Sequence, residues 1–118
     1  MITDIKAFQV IRKNWSYGQG KKTKLFNDFN QYDCLGFFLK TSGFSDKDIL
    51  NADEPIDLAK THEWFTALLD WSGSICYQTP VCEQIICIND DPNLSLITRE
   101  QQLYNLFKSI NVNVTFID

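Results

Sequence analysis

The sequence predicts an α+β domain, with four or five short helices packed on a small sheet that includes the C-terminal strand. Three observations predict it. Leu103, Leu106, Phe107 and Ile110 have helical spacing, and they run straight into Val112, Val114 and Phe116, which alternate with Asn113, Thr115 and Ile117. Other segments carry helix start and stop residues at helical distances. A hydrophobic content of 44% suits a chain that buries a real core, and 118 residues fit one domain, residues 1–118.

The elements follow in order. Thr3 is the expected cap of a first helix, with Ile5, Phe8, Ile11 and Trp15 as its apolar stripe and a stop before Gly18. Residues 16–22 read as a loop, because Gly18 and Gly20 disfavour a helix interior. Residues 23–26 and 31–34 read as short strands around Asn27-Asp28-Phe29-Asn30. Residues 23–26 are also the expected partner of the C-terminal strand, since a lone strand leaves its backbone groups unbonded. Cys34–Thr41 reads as a short buried helix stopped at Gly43. Ser45 caps a further turn over 46–50, with acids at its start.

Residues 51–57 form a loop with Pro55, residues 58–69 have a helical pattern, and residues 71–79 are irregular. Thr79-Pro80 is a helix start, a cap followed by proline at the first helical position. That helix is expected to run to about Ile88, with Val81, Ile85 and Ile88 on one face and Asn89-Asp90-Asp91-Pro92 ending it. Ser95 or Thr98 caps the last helix, and Asn111 takes the left-handed stop conformation. Repeats, low-complexity tracts and domain linkers are missing from the sequence.

Charge is polarised along the chain. Residues 1–24 hold Lys6, Arg12, Lys13, Lys21, Lys22 and Lys24 against Asp4, which is +5. Residues 25–118 hold five basic and fourteen acidic residues, which is −9 and leaves the net −4. A basic edge on an acidic body attracts phosphates, nucleic acid or acidic proteins, or is simply solvated. No apolar run approaches the roughly 20 residues that span a bilayer, so no membrane role is expected. The start Met-Ile-Thr-Asp-Ile-Lys lacks the basic-then-apolar order of a signal peptide. Cys34, Cys76, Cys82 and Cys87 are therefore expected to be reduced, in a cytoplasm.

Candidate chemistry is sparse. His62 is the single histidine, and nothing around it supplies the orienting group that a nucleophile–base pair needs. Cys76, Cys82 and Cys87 with His62 lack a Cys-x-x-Cys knuckle, and residues five apart on a helix point about 140° away from each other. Asn89-Asp90-Asp91, with Asp53 and Glu54 elsewhere, lacks a calcium-loop pattern and reads as turn and cap. No metal or cofactor is expected. Gly18-Gln19-Gly20-Lys21-Lys22 is a basic loop that is neither a Walker loop nor a dinucleotide fingerprint. Trp15 and Tyr17 add stacking surface beside it. The candidate binding residues are Trp15, Tyr17, Gln19, Lys21, Lys22, Lys24 and, in a second loop, Trp71. The competing reading of Trp15 and Trp71 is that they pack in the core.

Five pieces recur in order: Trp15-x-Tyr17-Gly18-Gln19-Gly20, Cys34-Leu35-Gly36-Phe37, Ile88-Asn89-Asp90-Asp91, Arg99-Glu100 with Leu106-Phe107, and Val112-x-Val114-x-Phe116. With them the chain resembles a group of small, uncharacterised accessory proteins of tailed phages and prophages. The match covers most of the chain and is weakest over 51–79. Asp33 stands where that family often has a second cysteine, and Asn111 where it tends to have glycine. The resemblance carries no activity. It implies an accessory gene product in the cytoplasm of an infected host.

Three function classes follow. The first is a non-enzymatic protein that binds and modulates or inhibits a host factor, such as a defence system. The second is a nucleic-acid or nucleotide-binding accessory using the basic N-terminal segment. The third is a small enzyme with an unfamiliar site, for example on Cys34 at a helix start.

Overall fold

A computed structural model of the chain describes residues 6–53 and 80–118. The helix expected over 58–69, the irregular stretch 71–79, His62 and Trp71 lie outside the described residues. The described part is α+β: four helices and a two-stranded parallel sheet that includes the C-terminal strand.

Strand β1 is Ala7–Ile11, where a helix was expected. Phe8 and Val10 are buried while Ala7 and Gln9 are exposed, so the period is two and not 3.6. A 3-10 turn, Arg12–Asn14, follows. Its partner β2, Asn113–Ile117, pairs in parallel from Ala7↔Asn113 to Ile11↔Ile117. Residues 23–26 are therefore not the partner of the C-terminal strand. Nor are 23–26 and 31–34 paired strands: they meet in one antiparallel bridge, Phe26↔Tyr32. The Asn27 side chain closes that turn, its Oδ1 accepting from Phe29 N and Gln31 N.

Helix α1, Cys34–Thr41, has the expected bounds. Asp33 caps it, accepting from Gly36 N at 2.7 Å. Cys34 to Leu39 are all buried, because other elements cover every side of the helix. Gly36 is required there: a Cβ would lie 1.9 Å from the Leu25 carbonyl oxygen. Helix α2, Asp46–Ile49, starts with a Ser45–Asp48 capping box.

Helix α3, Pro80–Asp90, runs two residues past the expected end, so Asn89 and Asp90 are its last turn rather than a loop. Helix α4, Leu96–Lys108, is capped by Ser95, which accepts from Thr98 N. Asn111 takes φ 64° and turns the chain into β2.

The sheet lays one face on the helices. Phe8, Phe38 and Phe107 meet there with ring centroids 4.9 to 6.2 Å apart. No helix among the described residues is long and apolar enough to cross a membrane.

Candidate functional site

The loop after the 3-10 turn is held from beneath by a buried polar hub at the end of α3. Asn89, 1% exposed, is its centre. Asn89 Oδ1 accepts from the Trp15 indole Nε1 at 2.8 Å and from Cys34 N at 3.2 Å. Asn89 Nδ2 donates to Ser16 O, Thr23 Oγ1 and Asp90 Oδ1 at 3.0, 3.2 and 2.9 Å. One amide side chain thus joins the loop, the start of α1 and the end of α3. Buried amides are worth most when every group finds a partner, as here.

Two carboxyls complete the hub. Asp90 accepts from Thr23 Oγ1 at 2.7 Å and from Thr23 N at 3.2 Å. Asp33 Oδ2 lies 3.4 Å from Thr23 Oγ1. Burial raises the Asp33 pKa well above the usual carboxylate range and the nearby Asp90 charge adds to this, against hydrogen bonds from Gly36 N and Thr23. The one hydroxyl hydrogen of Thr23 lies between Asp90 at 2.7 Å and Asp33 at 3.4 Å, so the nearer Asp90 takes most of it and the bond offsets little of the burial at Asp33.

Arg99 holds the other side. It is 2% exposed, and its Nη atoms donate to the carbonyls of Ile88, Asn89, Asp91 and Leu94. Three of those carbonyls sit at or just past the end of α3, where a cation offsets the negative end of the helix dipole. The guanidinium also lies 5.1 Å from the Tyr17 ring centre. Its Nε has no hydrogen-bond partner among the described residues.

The loop itself rides on the last turn of α3. Gly18 N donates to Asn89 O and Gly20 N to Asp90 O, at 2.8 and 2.9 Å. Gly18 has φ 67°, and a Cβ there would meet Arg99 Nη2 at 2.9 Å. Glycine is thus needed at this position for both its backbone and its close approach.

The sequence-predicted site residues separate accordingly. Trp15 is 3% exposed and packs on Tyr17 and Phe116, so it is a core residue and not an exposed anchor. Tyr17 is half-buried between Trp15 and Arg99. Gln19, Lys21 and Lys22 are exposed. Lys24 pairs with Asp53 at 2.6 Å. Trp71 lies outside the described residues.

The basic N-terminal segment is also divided. Arg12 makes a two-pronged pair with Glu100 and reaches Asp118, which holds its pKa above the ordinary value. Cys34 is buried and Cys87 exposed, both as free thiols. Among the described residues, no group of His, Cys, Asp or Glu is arranged to hold a metal ion.

From sequence alone Asn89 reads as a turn residue and Arg99 has no role. Arg99 had a readable signal, since it lies four residues before Leu103 and eight before Phe107, on the buried stripe of α4. Residues 15–20, Thr23, the start of α1 from Asp33, residues 88–91 and Arg99 meet around this hub.

Comparison with known protein families found no match, and comparison with curated proteins and with solved structures found none either.

Proposed function

We propose that this chain is a non-enzymatic phage accessory protein that binds and modulates a host factor in the cytoplasm, with its contact surface on the loop 17–22. One observation carries the reading: the loop is fixed from below and exposed above. Gly18 and Gly20 are bonded to the end of α3, while Gln19, Lys21 and Lys22 face solvent. A loop already held in one shape loses little entropy on binding. The polar groups with chemical potential, Asp33, Asn89, Asp90 and Arg99, are spent on holding it.

A protein surface fits better than a phosphate chain. Lys21 and Lys22 share a shallow groove with Asp90 and Asp91, and those carboxylates repel phosphate. Nucleic-acid binding is the alternative reading, and salt separates the two.

The test is capture from infected-cell lysate with the wild-type chain and with Lys21→Glu/Lys22→Glu. The expected result is one captured protein, lost by the variant at an unchanged melting temperature. Equal capture by both chains rejects the loop as the surface. Binding to single-stranded DNA that falls steeply with salt favours the alternative.

A further inference from the structure

We propose that β1 offers its outer edge to an extended segment of a partner protein, which adds to the sheet as a third strand. The site is separate from the loop 17–22 and does not depend on that reading.

In a parallel ladder, alternate residues turn both main-chain groups toward the neighbouring strand and the others turn theirs away. Asn113 N donates to Lys6 O at 2.8 Å, which sets the phase. Phe8 and Val10 therefore face β2, and Ala7 and Gln9 face the opposite edge. Among the described residues no strand pairs with that edge.

A groove of about 640 Å³ runs along it. Its lining includes Phe8, Gln9 and Ile11 of β1, with Tyr32, Lys40 and Thr41 across from them. Phe8, Gln9 and Ile11 line it from this side, so the groove follows β1 over most of its length.

The groove also defines its occupant. Ladder groups that no described strand pairs call for an extended peptide backbone. Lys40 and Asp46 pair with each other at 3.0 Å, and both bond the Tyr32 hydroxyl. These bonds keep the Asp46 carboxylate below its ordinary pKa although burial opposes this, and they raise that of Lys40. The wall's charges are thus mutually satisfied, and an uncharged segment meets no unpaired ion. Phe8, Phe37 and Tyr32 give its side chains an apolar floor. Phe29, 82% exposed on the turn next to Asn30 of the groove, is a ready contact at its rim.

The experiment selects binders from a displayed library of random linear peptides and measures amide hydrogen exchange of the whole chain with and without them. In the free chain the Phe8 and Val10 amides should exchange slowly and the Gln9 amide quickly. A selected peptide should slow Gln9. Gln9→Pro removes the outward N–H without touching the β1–β2 ladder, which is where edge strands tolerate proline. It should weaken peptide binding roughly tenfold or more, as expected for losing a main-chain bond. If this variant does not fold, the wild-type exchange pattern decides alone. A Gln9 amide already slow in the free chain, a selection without binders, binders that leave Gln9 unprotected, or a dimer built on this edge would each overturn the proposal.

Discussion

The aromatic core at the sheet and the polar hub at the end of α3 are both buried, yet they hold the molecule differently. Phe8, Phe38 and Phe107 meet through rings alone, so their contribution scales with area and depends little on direction. Asn89, Thr23, Asp90 and Arg99 meet through bonds of defined length and direction, several of them between segments distant in sequence. The first drives the sheet and helices together. The second fixes where one loop sits on them. Residues in the hub are therefore expected to tolerate far less change than equally buried apolar ones.

The largest expected effect is at Asn89. Asn89→Ala removes a bond from Cys34 N and leaves the buried Trp15 Nε1 without its acceptor, and a buried orphan costs about 1–3 kcal/mol. Leu39→Met, at a site that is equally buried, should cost less than about 1.5 kcal/mol. Urea denaturation of the two variants decides, and equal losses would break the comparison. Gly36→Ala comes next. Its Cβ meets the Leu25 carbonyl, and overpacking of this kind costs about 1–3 kcal/mol. A melting temperature equal to wild type would show that α1 shifts freely.

Asp33 sharpens the comparison through pH. Its native pKa is raised, by burial first, so the folded chain holds this proton more tightly than the unfolded one. The contribution to stability is complete below the ordinary carboxylate value of about 3.9 and is lost as pH rises through the native value. Asp33→Asn keeps the cap acceptor and has no proton to lose. Relative to wild type, the variant should gain stability from about pH 4 upward and then level off. Parallel pH profiles would refute a raised Asp33 pKa. The smallest effect is at Arg12, whose pair with Glu100 and Asp118 is solvent-facing. Arg12→Ala should lower the melting temperature slightly, and high salt should remove the difference.

Local signals were legible in the sequence wherever local chemistry decides structure. The bounds of α1, the Ser45 cap and the left-handed Asn111 follow from caps, stops and apolar spacing. Strand β1 was not legible. Ile5, Phe8, Ile11 and Trp15 fit a helical stripe, while Phe8 and Val10 fit a strand, and the choice is made by β2, about a hundred residues away. The hub was legible only in pieces. Trp15 and Asn89 are 74 residues apart, and nothing local in Asn89-Asp90-Asp91 separates an inward-facing helix end from an ordinary turn. The surplus of basic residues over 1–24 likewise hid that Arg12 and Lys24 are drawn to acids of the later chain.

The central claim is that the hub holds the loop in one shape. Native-state amide exchange at Gly18 and Gly20 tests it most directly, because their N–H groups bond the carbonyls of Asn89 and Asp90. Both amides should exchange about as slowly as that of Val112, which bonds Phe107 O in the core, and Asn89→Ala should speed them selectively. Exchange at the rate of the exposed Gln19 in the wild-type chain would contradict the account.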